Sequence, residues 1–214
     1  MARKPASEQP NTLEDIRGAA FGLFGRHGYD GVSLAKVADA ANITKAAIYW
    51  HYNDKLDLYI DCTRHFYEIF RLYIFTAMSE REKPAGKLMA LFEGTGQLLN
   101  DPRIQDGVAG FWLDSKNADL GKVRDLQEEF ERDARTLLAA TIEASIEEGE
   151  MDLVIPAEEM AQGIISLVVA SVLPLRNKTP EQTRTLLRAL AHTFFRAHGL
   201  DLTYATEALS IGES

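Results

Sequence analysis

The stretch SLAKVADAANITKAAIYWHY, from Ser33 to Tyr52, decides the fold of this chain. Its apolar residues recur at helical spacing on either side of residues 41–43, where the pattern breaks. Asn42 fits that break because asparagine tolerates the left-handed backbone that a tight turn needs. A second helix restarts at Thr44, whose hydroxyl can accept from the free N–H groups of the first turn. The stretch therefore predicts two short helices joined by a turn, a helix-turn-helix.

The second of these helices is predicted to have one apolar and one exposed side. Ile43 and Ile48 point inward and hold the crossing with the first helix. Tyr49 and His51 could also belong to the core, but Ile48 and Tyr52 already occupy the inward positions. The outward side chains suit a major groove and its flanking phosphates: Thr44, Lys45, Ala46, Ala47, Tyr49, Trp50 and His51.

Helices are predicted on both flanks of this motif. The preceding helix begins near Thr12 with a capping box and ends at Gly28. The following helix begins near Lys55 and is capped by Asp54. Because a helix N-terminus attracts anions, Lys55 is expected to add charge to a phosphate site there.

With these flanks, the pattern resembles the DNA-binding domain of the TetR family of bacterial transcriptional regulators, over about the first quarter of the chain. Asn42 departs from the family's usual Gly, and Trp50 is bulkier than the residue common there. The resemblance implies phosphate contacts from Tyr49 and Lys55, whereas Lys45, Ala46, Trp50 and His51 would lie nearest the bases. The full DNA-binding set expected is Ser33, Thr44, Lys45, Ala46, Tyr49, Trp50, His51 and Lys55.

The charge of the chain is unevenly distributed. The formal net charge is −9 over 214 residues. Residues 1–60 carry seven basic and seven acidic residues, so the whole net charge of −9 lies in the remainder. The acidity is therefore expected away from the DNA face, where it discourages non-specific coating of DNA.

The rest of the chain also has helical patterning, with no strand alternation and no repeats, so the predicted fold class is all-α. A small N-terminal three-helix helix-turn-helix domain is expected to precede a larger C-terminal helical domain for ligand binding and dimerisation. The predicted divisions are a flexible arm (1–10), the DNA-binding domain (11–56), the larger domain (57–200) and a tail (201–214).

Aromatic residues are dense in the middle of the chain. A packed core is one interpretation, and an aromatic-lined pocket for an apolar ligand between helices is the other. The resemblance favours a pocket. The residues predicted to line it are Phe66, Phe70, Met89, Phe92, Phe111, Trp112 and Phe130.

The helix beginning after Pro156 is apolar on nearly all sides from Ile164 to Leu175. It is either buried within one chain or buried on two sides by a partner. In the family the last two long helices pair with their copies, which implies a homodimer. The expected interface residues are Ile164, Leu167, Val168, Ser171, Leu187, Leu190 and Phe194.

Other classes of protein find little support. The histidines lack a metal-ligand spacing such as HExxH, and no glycine-rich phosphate loop occurs, so no enzyme, metal or cofactor is expected. One cysteine, Cys62, excludes an internal disulfide and suits a reducing cytoplasm. The N-terminus lacks a signal-peptide core, and the longest apolar run is too short to span a bilayer.

The favoured hypothesis is a homodimeric, cytoplasmic regulator that binds a near-palindromic operator. It would be a repressor that a small apolar or aromatic effector releases from DNA. An activator of the same fold is one alternative. A helical protein that keeps the helix-turn-helix as a scaffold for protein partners is another.

Overall fold

The computed structural model of the chain describes residues 12–105, 107–113, 115–116, 118–175 and 179–198. All regular structure in these residues is helical and none of it is strand, so the predicted all-α class is confirmed. None of the described helices combines the length and the apolarity that crossing a bilayer requires. The predicted arm (1–10) and tail (201–214) lie outside the described residues.

Ten α-helices follow one another along the described chain, with one π-helical segment and one 3-10 turn between them. They are α1 (Thr12–His27), α2 (Leu34–Ala40), α3 (Lys45–Tyr49), α4 (Lys55–Phe70), the π segment (Arg71–Phe75), α5 (Thr76–Ser79), α6 (Pro84–Leu99), α7 (Pro102–Gln105), the 3-10 turn (Ala109–Trp112), α8 (Gly121–Glu147), α9 (Ala157–Leu175) and α10 (Pro180–Ala197).

The chain divides into two compact units. Unit 1 comprises Met1–His65 and Asp106–Val123, and unit 2 comprises Phe66–Gln105 and Arg124–Ser214. Residues 106–123, which the sequence assigned to the second domain, thus belong to the same unit as the helix-turn-helix. Their contacts with α1 and α4 explain this placement.

The core of unit 1 is organised around Tyr59 of α4, which is fully buried. Its ring lies 4.8 Å from Phe24, 5.2 Å from Tyr29 and 5.7 Å from Phe111, measured between centroids. Its hydroxyl donates to the Gly110 carbonyl at 3.3 Å. Phe111 of the 3-10 turn therefore fills a core that residues 12–65 alone leave incomplete.

Residues 107–116 are fastened to the α1–α2 connection by Asp30. One carboxylate oxygen of Asp30 accepts from the Ser115 hydroxyl at 2.7 Å, and the other accepts from the Lys116 backbone N–H at 2.9 Å. A Cβ placed on Gly110 would overlap the Phe24 carbonyl, so only glycine allows this turn to approach α1 so closely.

In unit 2, α6 packs against α5, the π segment, α7, α9 and α10. A Cβ on Gly94 of α6 would overlap the Tyr73 carbonyl, so this glycine permits the close approach of α6 to the π segment. The sequence predicts one uninterrupted helix from Lys55 to Met78. The structure instead widens it at residues 71–75, where the Thr76 N–H donates to the Arg71 carbonyl.

A buried carboxylate ends α6. Asp101 accepts from Arg103 through the backbone N–H at 2.7 Å and through Nη2 at 2.6 Å, and from the Tyr73 hydroxyl at 2.8 Å. The hydrogen bonds from Arg103 lower the pKa of Asp101 to about 2. The carboxylate therefore stays charged and holds the α6–α7 corner to the π segment.

Several helix ends follow local signals in the sequence, namely glycines after the last turn and a capping box before the first. Gly28 and Gly149, at φ +67° and +70°, follow the ends of α1 and α8. Thr179 and Gln182 form a reciprocal capping box at the start of α10, with bonds of 3.0 and 3.2 Å. The apolar residues between Ile104 and Leu113 predict one short helix, and this prediction is wrong: the stretch is split into α7 and the 3-10 turn, with Gly107 at φ +103° between them.

Candidate nucleic-acid interface

The α2–α3 pair has the geometry of a helix-turn-helix. Ser33 caps α2, its hydroxyl accepting from Lys36 N at 3.3 Å, and Thr44 caps α3, accepting from Ala47 N at 3.2 Å. Asn42 adopts φ +54° in the turn between them, as predicted. The Ile43 N–H donates to the Ala38 carbonyl at 2.9 Å and closes the turn. Local bonds thus define both helix starts and the turn.

The side of α3 opposite its buried Ile48 is open to solvent. Tyr49 is 52% exposed and Trp50 is 87% exposed. The Lys45 ammonium lies 5.8 Å from the centroid of the Tyr49 ring. The other predicted DNA-binding residues of the helix-turn-helix are also exposed: Ser33, Thr44, Lys45, Ala46 and His51.

Lys55 lies in a different environment from the rest of the predicted set. Its Nζ donates to the Tyr29 carbonyl at 3.0 Å and to the Val32 carbonyl at 3.1 Å, and lies 3.9 Å from the Tyr29 ring centroid. Burial lowers the pKa of Lys55, and the Asp30 carboxylate opposes that effect. The ammonium that was expected on a phosphate is thus engaged within unit 1.

A group of hydrogen-bonded side chains lies at the end of α3, and the sequence did not predict it. Asp61 of α4 accepts from the Tyr52 hydroxyl at 2.7 Å and from Arg17 Nε at 2.9 Å. Burial and the bond to Asp61 raise the pKa of Tyr52, so its hydroxyl remains a donor at neutral pH. Arg17 and Asp61 are 44 residues apart, and helical periodicity alone does not pair such distant residues.

The predicted ligand residues fall into separate groups. In unit 2, the Phe130 ring stacks on Tyr67 at 4.3 Å and on Phe75 at 5.9 Å, and meets the edge of Phe70 at 5.1 Å. Phe66 lies beside Tyr67 at 5.4 Å. We call these five rings the Phe130 cluster.

The other predicted ligand residues lie outside that cluster. Phe92 approaches Phe194 at 6.2 Å, and Met89 is buried on the same helix, α6. Phe111 and Trp112 belong to unit 1, where Phe111 packs on Phe21 at 5.2 Å and forms part of the core around Tyr59.

The predicted interface residues of α9 and α10 differ in their exposure to solvent. Ile164, Val168, Leu187 and Phe194 are buried within the single chain; for example, the Leu187 side chain lies against Gly96 of α6. Leu190 is half-buried, and the side chain of Ser171 lies outside the described residues. Leu167 is 48% exposed. An interface would therefore use the Leu167 side of α9, with Gly163, Ser166 and Ala170, all exposed.

Comparison with known proteins bears on the amino-terminal unit above all. Residues 16–62 match the family model described as bacterial regulatory proteins, tetR family. The HTH-type transcriptional regulator AcrR of Shigella flexneri is 44% identical over 59 residues, and the probable acrEF/envCD operon repressor of Escherichia coli K12 is 37% identical over 59 residues. Each match covers 28% of this chain and only 27% of the relative.

A solved structure extends the likeness to the whole fold. The ketosteroid transcriptional regulator KstR2 of Mycobacterium tuberculosis matches with a TM-score of 0.73 over 92% of this chain and 99% of that chain. Because the sequence identity is only 14%, this match shows a similarity of fold alone. The similarity to the tetR family of bacterial regulatory proteins therefore concerns residues 16–62, the region that holds the helix-turn-helix.

Proposed function

We propose that the chain is a homodimeric transcriptional regulator of the cytoplasm that binds a near-palindromic DNA operator and acts as a repressor. The observation that carries this proposal is the exposed side of α3, where Trp50, Tyr49 and Lys45 project from a helix whose other side is buried. Basic and aromatic side chains on such a helix are suited to base edges and phosphates. The two relatives that match 59 residues of the chain are themselves named as regulators, one of them as an operon repressor.

Selection from random DNA tests this proposal. The wild-type protein is incubated with a library of random duplexes, and the bound fraction is amplified and sequenced. A near-palindromic motif with half-site centres about 34 Å apart, or a multiple of it, is expected. The affinity should fall steeply with salt because bound phosphates release counterions. If no motif is enriched even at low salt, α3 is a scaffold for protein partners, and the proposal is wrong.

Substitutions on α3 should distinguish contacts to phosphates, which position the protein on DNA, from contacts to base edges, which recognise the sequence. Tyr49→Ala is expected to weaken binding to all duplexes alike, because a phosphate contact carries no sequence information. Trp50→Ala and His51→Ala are expected to change the enriched motif. Repeating the selection with each variant measures both effects. A Trp50→Ala variant that enriches the wild-type motif with unchanged affinity would remove Trp50 from the interface.

We further propose that a small apolar or aromatic effector binds at the Phe130 cluster and lowers operator affinity. Flat rings that stack on one another also offer faces to a flat apolar ligand. The Arg71 guanidinium lies 5.5 Å from the Phe130 centroid and 6.0 Å from the Phe75 centroid. It pairs with Asp133 at 3.0 Å, so the rim of the cluster is polar.

Phe130→Leu should impair the effector response while leaving DNA affinity within a few-fold. Leucine keeps most of the apolar volume but offers no ring face. Aromatic compounds that raise the melting temperature of the wild type are found first, and operator affinity is then measured with and without them. Linkage requires a reciprocal effect of DNA on the compound, with typical coupling of about 5–150-fold. Leu72→Ala, at an exposed side chain of the π segment, is the control. A tight compound that leaves operator affinity unchanged refutes the coupling.

A further inference from the structure

We propose that the acidic segment 199–214 binds along an exposed, arginine-rich side of α10 in the same chain. This side, which we call the arginine face, consists of Arg184, Arg188, His192 and Arg196. The segment and the face both belong to unit 2, whereas α3 belongs to unit 1. The binding therefore does not involve α3, and it can be tested apart from DNA binding.

The arginine face is a continuous row of exposed side chains. Its members recur every fourth residue, so they line up along one side of α10. The opposite side of the helix is buried, with Leu187 against α6. Among the described residues, no carboxylate pairs with Arg184, Arg188 or Arg196. Like charges one turn apart repel each other, so an acidic partner on this face would stabilise α10.

The sequence of residues 199–214, GLDLTYATEALSIGES, is complementary to this face. It contains three carboxylates and no lysine or arginine. Carboxylates form charge-assisted, often paired hydrogen bonds with guanidinium groups. The segment also holds apolar side chains, which can pack on the aliphatic stems of the arginines and on the exposed Ala189. Its carboxylates are Asp201, Glu207 and Glu213, and its large apolar residues are Leu200, Leu202, Tyr204, Leu209 and Ile211.

The segment is long enough to cover the whole arginine face. It follows His198, whose carbonyl accepts from the Asp152 backbone N–H at 3.0 Å, so its starting point is fixed on unit 2. Arg184 precedes His198 by 14 residues, which is about 21 Å along a helix. The 16 residues of the segment span about 24 Å even at the rise of a helix, and more when extended. Either conformation reaches Arg184.

A second copy of the chain is a poorer occupant of the arginine face. A two-fold interface uses the same surface on both subunits, so the arginine face of one copy would approach that of the other. Like charges opposed in this way weaken association. The neighbouring side of α10, where Thr185 and Ala189 are exposed, carries no charge and stays open to the proposed dimer partner. A bound segment would also neutralise a cationic surface that otherwise attracts polyanions.

Limited proteolysis with chymotrypsin tests the binding. Tyr204 and the leucines of the segment are sites for this protease, and mass spectrometry identifies cleavage within residues 199–214. A bound segment is cut only when it opens, so the rate follows the fraction of open molecules. The wild type at low salt should be cut about tenfold more slowly than a free peptide of residues 199–214. The difference should shrink at high salt, because exposed ion pairs are screened.

Charge reversal identifies the surface that the segment binds. Arg184→Glu together with Arg188→Glu should raise the cleavage rate to that of the free peptide, because acidic side chains then face an acidic segment. Adding Glu207→Lys and Glu213→Lys should restore slow cleavage, since the signs are opposite again. Each rate is divided by that of a free peptide with the same substitutions. A general loosening of unit 2 would not be reversed in this way.

Lys122→Glu together with Arg132→Glu is the matched control, because it reverses two exposed cations of α8 outside the arginine face. Its segment should be cut at the wild-type rate. The proposal is refuted if the wild-type segment is cut as fast as the free peptide. An unchanged rate in the arginine variant, or a fast rate that the lysine substitutions do not slow, would show that the segment does not bind α10.

Dilution distinguishes binding within one chain from binding to a second copy. A contact within one chain does not depend on protein concentration, so slow cleavage should persist from about 10 μM to about 0.1 μM protein. If cleavage becomes fast on dilution, the segment binds a second copy, and the assignment to the same chain is wrong.

Discussion

Leu167→Glu should convert the proposed dimer to a monomer and lower its operator affinity roughly 100-fold or more. On α9, the exposed residues Gly163, Ser166, Leu167 and Ala170 follow the spacing i, i+3, i+4 and i+7, which lines up one face of a helix. Addition of a Cβ at Gly163 would meet no atom within 4 Å in the same chain. Small residues on an open helix face allow a second helix to approach closely.

The size of the effect follows from symmetry. A two-fold interface uses the same surface of both copies, so it would hold two introduced carboxylates, each of which loses its hydration in an apolar contact. A monomer would bind only one half-site and lose the gain from joining two binding events. Sedimentation at micromolar concentration measures assembly, and titration with the enriched duplex measures affinity.

Val154→Glu is the matched control for this substitution. Val154 is 98% exposed in the connection before α9, so the same charge is introduced outside the proposed interface. It should remain a dimer with wild-type affinity. A wild-type protein that sediments as a stable monomer, or a Leu167→Glu variant that remains a dimer, would contradict the assignment.

Gly110→Ala should destabilise unit 1 by about 1–3 kcal/mol and weaken DNA binding as a consequence. The added methyl would overlap the Phe24 carbonyl and lie 2.6 Å from the Gly28 backbone nitrogen. Both are backbone atoms at the end of α1, so neither can rotate away as a side chain can. The 3-10 turn or α1 must shift, which disturbs the packing of Phe111 on Tyr59.

Gly18→Ala provides the opposite expectation for a glycine in the same unit. It lies on the exposed side of α1, with nothing within 4 Å of an added Cβ. Alanine there should stabilise the protein by about 0.5–1 kcal/mol, the usual difference in helix propensity. Thermal unfolding of both variants checks the pair. If the Gly110→Ala variant were as stable as the wild type, the 3-10 turn would be able to shift away from α1 without a loss of stability.

The glycines of α1 illustrate what sequence reasoning can and cannot settle. Their cost in a helix suggests close packing, but the sequence does not say where. Close packing explains Gly25, because a Cβ there would overlap the Gly107 carbonyl. It does not explain Gly18, where an added Cβ would meet no atom within 4 Å. The partner of Gly25 lies far along the chain, and only the fold brings it to α1.

Local chemistry made other features predictable. The caps at Thr44 and Thr179, the left-handed Asn42 and the ends at Gly28 and Gly149 depend on neighbours within a few residues. Apolar periodicity, by contrast, shows that one side of a helix is buried but does not identify the residues that pack against it. Leu187 and Phe194 were therefore assigned to a partner chain, although α6 of the same chain lies against them.

The packing of Phe111 on α1 and α4, together with the bond from Ser115 to Asp30 of the α1–α2 connection, has a consequence for exchanging parts between regulators. A chimera that takes only residues 1–65 would carry Tyr59 without Phe111, and Asp30 without the hydroxyl and amide that it binds. Its apolar interior would face whatever sequence the host supplies at that position. A transplant that keeps its operator preference must carry residues 107–116 as well, so the smallest exchangeable piece of this protein is two separate lengths of chain.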